Sequence, residues 1–322
     1  ALLDSGSVFS ERSLWTDENL DELQKYYVEN LDLGEGDFYT KLQSQLEFAR
    51  REAKQLMAEI TWFMLLGPSN IGVDSKRESI EEIWNWSGEP LPSNSKYLDN
   101  PVLLGIGSAG AAYNMHRWRE LVFFIRILRA FRALSQDERR SLLADGWKLA
   151  EWMQVIPECD ARQIRHMILY LLFPGDFEQM FGRSDRRNLL LSFTDIPKPK
   201  IYALSALETD REILKVRREQ EEIFGTNELN FYASPLKEKW EEARHPTPKA
   251  DPEPSDFDKK TEGVKAVHIL QALEKIDQED YPPDARSAIY DLIHDSNRYP
   301  PKYVLSLAVE IATGEAFPRS FF

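Results

Sequence analysis

The stretch Phe38-Tyr-Thr-Lys-Leu42-Gln-Ser-Gln-Leu46-Glu-Phe-Ala49-Arg-Arg-Glu-Ala53-Lys-Gln-Leu56-Met-Ala-Glu-Ile60-Thr-Trp-Phe63 carries an apolar residue every three or four positions until Gly67-Pro68. That spacing predicts one long helix with a buried stripe, stopped by the glycine and the proline. Reading outward, the same grammar repeats. Thr16 precedes Asp17 and Glu18, an N-cap with acids in the first turn, and Leu20, Leu23, Tyr27 and Leu31 follow at helical spacing. Ser75 with Glu78, Ser135 with Glu138 and Thr209 with Glu212 each read as a capping box. The first opens a helix bearing Ile80, Ile83, Trp84 and Trp86, and the last opens a charged helix ending at Gly225. Ala111–Leu134, Asp145–Ile156 and Ala161–Phe173 read as helices, the latter two followed by Pro157 and Pro174. Alternating strand patterns are scarce before residue 260. The expectation is a mainly α fold: a large helical domain over residues 1–242.

The segment 243–263 contains four prolines and a single large apolar residue, Phe257, and reads as a stiff charged linker. A small α+β module with the order α-β-β-α is expected over 264–322. Val267, Leu270, Leu273 and Ile276 form the apolar face of its first helix. Residues 287–294 alternate weakly into a turn at Asp295–Arg298, and Pro300-Pro301 opens a second helix, Lys302–Thr313, closed by Gly314. The chain stops at Phe321-Phe322, which suggests a module truncated at its C-terminus.

The 322 residues are 42% hydrophobic and 29% charged, an ordinary globular composition. One cysteine, Cys159, excludes an intrachain disulfide and a Cys-rich zinc framework and fits a reducing compartment, so cytoplasm is the expected location. The apolar runs around 60–66 and 121–125 are far below the roughly 20 residues that span a bilayer, and the N-terminus lacks a signal-peptide pattern. The net charge of −14 argues against a generally basic nucleic-acid coat. It is unevenly spread: residues 1–100 carry 9 basic and 19 acidic side chains, residues 101–200 carry 15 and 11, and residues 201–322 carry 16 and 24. The middle third is a basic island.

Gly105-Ile-Gly-Ser-Ala-Gly110 satisfies G-x-G-x-x-G, yet it lacks the preceding strand and the acid about 20 residues on that a dinucleotide fold requires; a glycine turn feeding a helix is the favoured reading. No G-x-x-x-x-G-K-[ST], H-E-x-x-H or G-x-S-x-G occurs. Cys159 has no adjacent histidine that would mark a nucleophile. No catalytic residue, metal ligand or cofactor site is therefore assigned, and the chain is not expected to be an enzyme. The island's candidates for anionic ligands are His116, Arg117 and Arg119; Arg162, Arg165 and His166; and Arg183, Arg186 and Arg187, with Trp118 and Phe181 available for stacking. Arg126, Arg129 and Arg132 drift around one helix face. Pairing of these arginines with the acidic flanks is the competing reading. Ser296-Asn-Arg298-Tyr299-Pro-Pro-Lys302-Tyr303 sets two cations and two aromatics around a turn and a helix start, a workable phosphate-contacting edge.

Arg298-Tyr-Pro-Pro-Lys-Tyr-Val-Leu-Ser-Leu-Ala, followed by Ala312-Thr-Gly314, resembles the small head module of McrA-type modification-dependent restriction endonucleases, a module also present in McrB-like AAA+ proteins. Phe63-Met-Leu-Leu-Gly-Pro-Ser-Asn-Ile-Gly, Ile83-Trp-Asn-Trp-Ser-Gly, Gly105-Ile-Gly-Ser-Ala-Gly with His116-Arg-Trp-Arg-Glu120, and Arg162-Gln-Ile-Arg-His166 look like the region ahead of the motor in McrB-like ATPases. The resemblance covers most of residues 15–240 and 264–322. It implies a parent protein with an NTP- and Mg-dependent AAA+ motor, possible oligomerisation through that motor, and a nuclease partner. This chain would be the recognition region that meets a DNA duplex, modified or plain, with contacts at Arg298, Tyr299, Lys302 and Tyr303. The alternative is a helical scaffold that binds a partner subunit or phage protein without touching DNA.

Overall fold

The computed structural model describes residues 1–32, 34–92, 95–107, 109–244, 261, 263–279, 281–282, 285, 291–295 and 297–316. It is mainly helical: among the described residues there are sixteen α-helices and one two-stranded antiparallel sheet. None of those helices is long and apolar enough to cross a membrane. The chain divides into two compact units, Ala1–His245 and Pro246–Phe322. Most of the proline-rich segment, and the terminal Phe321-Phe322, lie outside the described residues.

The first unit is built from α1 (Asp17–Leu23), α2 (Phe38–Gln45), α3 (Arg51–Leu66), α4 (Val73–Asn85), α5 (Asn100–Leu103), α6 (Gly110–Met115), α7 (Arg117–Arg132), α8 (Gln136–Leu143), α9 (Gly146–Met153), α10 (Gln163–Leu172), α11 (Arg183–Phe193), α12 (Lys198–Ala203), α13 (Ala206–Phe224) and α14 (Leu236–Arg244). Thr16 caps α1 through the Asn19 amide, as its sequence suggests. The α3 stripe of Ala53, Leu56, Met57 and Ile60 is fully buried and packs on α1, α4 and α7. This is the centre of a large cluster that extends to Ile164 and Met167 of α10. A second cluster joins Leu189 and Leu190 of α11 to Ile213 and Val216 of α13 and to Trp240 of α14. Burial of each such side chain contributes about 1.5–3 kcal/mol against exposure.

Four boundaries differ from expectation, each for a tertiary reason. The helix expected over 38–66 is broken at residues 46–50. There Ala49 N donates to Leu46 O at 3.0 Å and Arg50 N to Glu22 Oε2 at 3.1 Å. Leu46 and Ala49 stay buried in this turn, so the apolar spacing conceals it, whereas Phe48 is 76% exposed. The helix expected from Ser75 starts at Val73, so Ser75 and Glu78 lie inside it and form no cap. Its first turn is fixed by Lys76, fully buried, whose ammonium donates to Pro68 O at 2.5 Å and Leu103 O at 2.7 Å. The box expected at Thr209 and Glu212 forms instead at Ser205 and Glu208. Asp160 Oδ1 accepts the Ala206 amide at 2.9 Å and draws the helix start back by one turn. Ala111–Leu134 is two helices broken at His116 (φ −114°, ψ 29°), with α6 held separately by the Tyr113 hydroxyl donating to Met64 O. The box at Ser135 and Glu138 and the left-handed Gly225 cap form as read.

The glycine-rich stretch is a packing device. Ile106 N and Gly107 N both donate to Gly67 O, and Ser69 N donates to Gly107 O. Gly105 holds φ +85°, and a Cβ on it would run into the Pro68 carbonyl; a Cβ on Gly107 would run into the Gln179 carbonyl. Only glycine fits such a backbone approach.

The second unit contains α15 (Ala266–Glu279), β1 (Leu292–His294), β2 (Asn297–Tyr299) and α16 (Pro301–Thr313), the order α-β-β-α. The strands pair with Leu292 opposite Tyr299 and His294 opposite Asn297. The part of the strand expected at 287–290 lies outside the described residues. Ala272, Leu273 and Ile276 meet Tyr299, Val304, Leu307 and Ala308 in a small core. Val267 and Leu270, expected on that face, are half exposed because Ala272 takes the central position. Gly314 caps α16 with φ +76°.

Gly105→Ala is expected to destabilise the helical unit by about 1–3 kcal/mol through backbone strain and collision with Pro68. Denaturant unfolding followed by far-ultraviolet circular dichroism measures it; an unchanged midpoint would contradict this account of the turn.

Candidate functional site

The basic island separates into arginines that hold the fold and arginines that do not. Arg126 pairs with Glu158 at 3.2 Å, Arg129 with Asp21 at 2.8 Å and Arg132 with Asp17 at 3.0 Å, so this row is neutralised by acids. Arg165 and Arg186 are buried against Asp210 on α13: Arg165 Nη1 lies 2.6 Å from Oδ2, and Arg186 Nη2 bonds Oδ1. Arg186 Nη1 also donates to Met180 O at 3.0 Å. His166 completes the group, its Nδ1 3.5 Å from Asp210 Oδ1. Burial alone would push the Asp210 carboxyl upward, but Arg186 and Arg165 outweigh it and hold the carboxyl below its ordinary range. Burial, reinforced by the Arg186 charge, presses His166 down to about 3 and keeps it neutral. Arg165, His166 and Arg186, expected among the anionic-ligand candidates, thus share one buried carboxylate: Arg165 Nη1 and Arg186 Nη2 face Asp210, Arg165 Nη1 also meets His166 Nδ1 at 3.0 Å, and Arg165 Nε and Nη2 are buried without a hydrogen-bond partner.

Several of the remaining arginines line two cavities. The first, of about 420 Å³, lies where α6 meets α7 and is lined by Phe38, Lys41, His116, Arg117, Trp118 and Arg119, with Asp32 also in its wall. The break at His116 presents these neighbours together. The Arg117 guanidinium lies 5.6 Å from the centroids of both Phe38 and Tyr39 and donates to the Tyr39 hydroxyl. Arg119 lies 5.0 Å over Trp118. Neither arginine has an ion pair among the described residues. Tyr27 Oη, Asn114 Oδ1 and Arg117 Nε, from residues lining the same cavity, are buried without a hydrogen-bond partner. Such groups cost about 1–3 kcal/mol each when unsatisfied, a cost that natural proteins keep where a ligand or rearrangement relieves it. Lys41 holds the facing loop by donating to Gly34 O.

The second cavity, of about 230 Å³, is lined by Arg162, the N-cap residue of α10, and by Arg183, Arg186 and Arg187 of α11. A third, of about 400 Å³, is walled by Trp15, Trp62, Phe124, Phe131 and Trp152 and is almost wholly apolar, which does not suit a charged ligand.

In the small unit the expected DNA edge is divided. Arg298 is exposed and lies 3.2 Å from Asp291, and Lys302 is exposed. Tyr299 is 3% exposed and its hydroxyl donates to Asp277, so it is a core residue and not a stacking surface. Tyr303 is half-buried against Tyr281, with centroids 6.4 Å apart. Both rings pack in the cluster that contains Ala272 and Ile276.

Sequence reasoning missed Asp210, Glu120, Tyr27 and the Phe38–Tyr39 platform. Asp210 had a readable signal: it falls on the buried stripe of α13 with Ala206, Ile213 and Val216. Glu120 is buried and accepts the Ile164 amide at 2.9 Å; burial raises its carboxyl to about 7 despite that bond and Arg162 at 3.7 Å. Burial pushes the Cys159 thiol to about 11, which leaves it protonated at neutral pH. Among the described residues no group of three or more His, Cys, Asp or Glu side chains is placed to hold a metal ion. The chain matches no protein-family model, no curated protein and no solved structure.

Two outcomes follow from these buried charges. Asp210→Ala leaves two guanidiniums buried without a counter-charge and should cost about 3–5 kcal/mol of stability, read by chemical denaturation. Glu120 has a folded-state pKa raised from 4.5 to about 7, so its contribution is complete below pH 4.5 and is lost as pH rises through 7. Glu120→Gln keeps a carbonyl for the Ile164 amide. Above pH 7 it should exceed the wild type in stability by about 1–3 kcal/mol, with the advantage vanishing near pH 4.5. A pH-independent difference between the two proteins would refute the assignment.

Proposed function

We propose that this chain is a non-catalytic recognition region of a McrB-like, NTP-dependent restriction or anti-phage protein, and that it binds DNA through the cation–aromatic cavity at the α6–α7 junction. One observation carries the reading. In a chain of net charge −14, Arg117 and Arg119 lack carboxylate partners among the described residues and lie on aromatic rings beside the cavity. Cations that track phosphates, combined with aromatic planes that stack bases, are what a nucleic-acid groove requires. The exposed Arg298 and Lys302 of the small unit supply a second, purely electrostatic contact. The motif resemblance adds the setting: a cytoplasmic parent whose AAA+ motor takes NTP and Mg, assembles into an oligomer and recruits a nuclease subunit.

A second reading has its own support. Ile223 and Phe224 at the end of α13 are 71% and 46% exposed, and Met115 is 70% exposed, which favours a scaffold that docks a partner subunit or phage protein.

Fluorescence anisotropy of the full chain with duplex DNA, plain and cytosine-modified, at two salt concentrations separates the two. DNA binding should weaken with salt, with a log–log slope of about −0.9 per phosphate neutralised. Arg119→Glu should weaken it at least tenfold, and the Arg298→Glu, Lys302→Glu pair should lower affinity and slope together. No binding to any duplex at low salt would overturn the DNA reading in favour of the scaffold.

A further inference from the structure

The second cavity lies among the first turns of three helices of the first unit: α10 begins at Gln163, α11 at Arg183 and α13 at Ala206, and Gln163, Arg183 and Ala206 all line it. We propose that this cavity is a binding site for a phosphoryl group, taken up as free phosphate or pyrophosphate or as the 5′-phosphate end of a nucleic-acid strand. The proposal does not rest on the DNA-binding reading above, because it uses different residues.

Its first support is a charge arrangement that is unfavourable without an anion. Arg183 and Arg187 stand one turn apart on α11, and neither has a carboxylate partner among the described residues. Arg187 donates only to the Tyr202 carbonyl, at 3.1 Å, and lies over the Tyr202 ring at 4.4 Å. Its charged form is disfavoured first by burial and then by Arg183 itself. Like charges at this spacing destabilise a helix by a few tenths of a kcal/mol. These two also sit at the end of α11 where the helix dipole repels cations. Three other helices follow the opposite rule: the first turns of α1, α8 and α13 carry Asp17 and Glu18, Asp137 and Glu138, and Glu208. The one acid in the first turn of α11, Asp185, is nearly buried and accepts the Tyr232 hydroxyl at 3.3 Å.

The second support is independent. Arg162, the N-cap residue of α10, is 9% exposed and lines the cavity, yet its Nε has no hydrogen-bond partner. Its Nη2 donates to Glu158 at 2.7 Å and its Nη1 lies 3.7 Å from Glu120, so the fork is held while one donor remains unused. One acid, Asp160, shares the wall; its Oδ1 already accepts the Ala206 amide. Asp210 lies behind the wall, bound to Arg165 and Arg186. The front of the cavity is left with an excess of guanidinium, and guanidinium forks match the oxygen spacing of a phosphoryl group. The volume of about 230 Å³ falls below the range of drug-sized pockets and admits one or two phosphoryl groups more readily than a whole nucleoside.

The test uses the full chain. Thermal unfolding and isothermal titration are run with phosphate and with pyrophosphate against chloride at matched ionic strength. The same titration is repeated with a short oligonucleotide bearing either a 5′-phosphate or a 5′-hydroxyl. A saturable rise in Tm with phosphate or pyrophosphate, weakened at least tenfold in Arg183→Gln, Arg187→Gln, supports a free-phosphate site. A preference for the 5′-phosphorylated strand that the same variant loses assigns the ligand to a strand end. Should the double variant fold poorly, Arg183→Gln alone, at an exposed position, must show the weakening. Arg119→Glu must leave the phosphate response unchanged even as it impairs duplex binding, which separates failure of this site from failure of the DNA reading. No saturable response to any of the three phosphoryl ligands in the wild type, or a response that survives in the variants, overturns the proposal.

Discussion

Asp210 is a single carboxylate that ties three helices of the first unit together. It projects from α13 into the space where α10 and α11 approach, and it receives Arg165 and His166 from one and Arg186 from the other. Those helices belong to two different hydrophobic clusters, one centred on α3 and one on α11 and α13. Taking three charges out of water is unfavourable by several kcal/mol each, and their mutual attraction offsets that only because the geometry closes around one acceptor. A buried polar group of this kind restricts how two apolar faces can slide past each other, which non-directional burial alone does not.

The same constraint sorts the basic island. With Arg165 and Arg186 directed inward and Arg126, Arg129 and Arg132 tied to Glu158, Asp21 and Asp17, two of the cavities of this unit keep arginines without a carboxylate partner among the described residues. One has Arg117 and Arg119 against aromatic rings; the other has Arg183 and Arg187 at the start of α11. The net charge of the molecule is therefore a poor guide to what it attracts. A field at a cavity mouth is set by the few cations whose neighbours are not carboxylates.

Much of this architecture was legible in the sequence, and the parts that were not share a cause. Apolar spacing located α3, α4, α7, α10, α15 and α16, and local chemistry located the Ser135–Glu138 cap, because both depend on residues within one or two turns; α11, whose first turns carry Arg183, Arg186 and Arg187, reads as a loop in the sequence. The sequence reading places the cap of α13 one turn too late. Ser205 with Glu208 and Thr209 with Glu212 are both well-formed candidates, and a contact from Asp160, far along the chain, decides between them. The turn at 46–50 was invisible because Leu46 and Ala49 remain buried whether or not the helix continues. The clustering of arginines could be read, but not their partners: Asp21 and Asp17 lie 108 and 115 residues from the arginines they bind. In the small unit, Tyr299 and Tyr303 looked like contact surface because aromatic residues beside cations suit both a core and a nucleic-acid edge.

Gly105 and Gly107 have a consequence for how such chains diverge. Each lies where a side chain would strike main-chain carbonyls of Pro68 or Gln179, and neither collision can be relieved by a rotamer change. A lineage selected only for folding would keep both glycines indefinitely while surrounding residues drifted. With Gly110 held by its own positive φ, the spacing G-x-G-x-x-G would outlast every trace of similarity around it. In distant descendants it would mark where the backbone passes against Pro68 and Gln179.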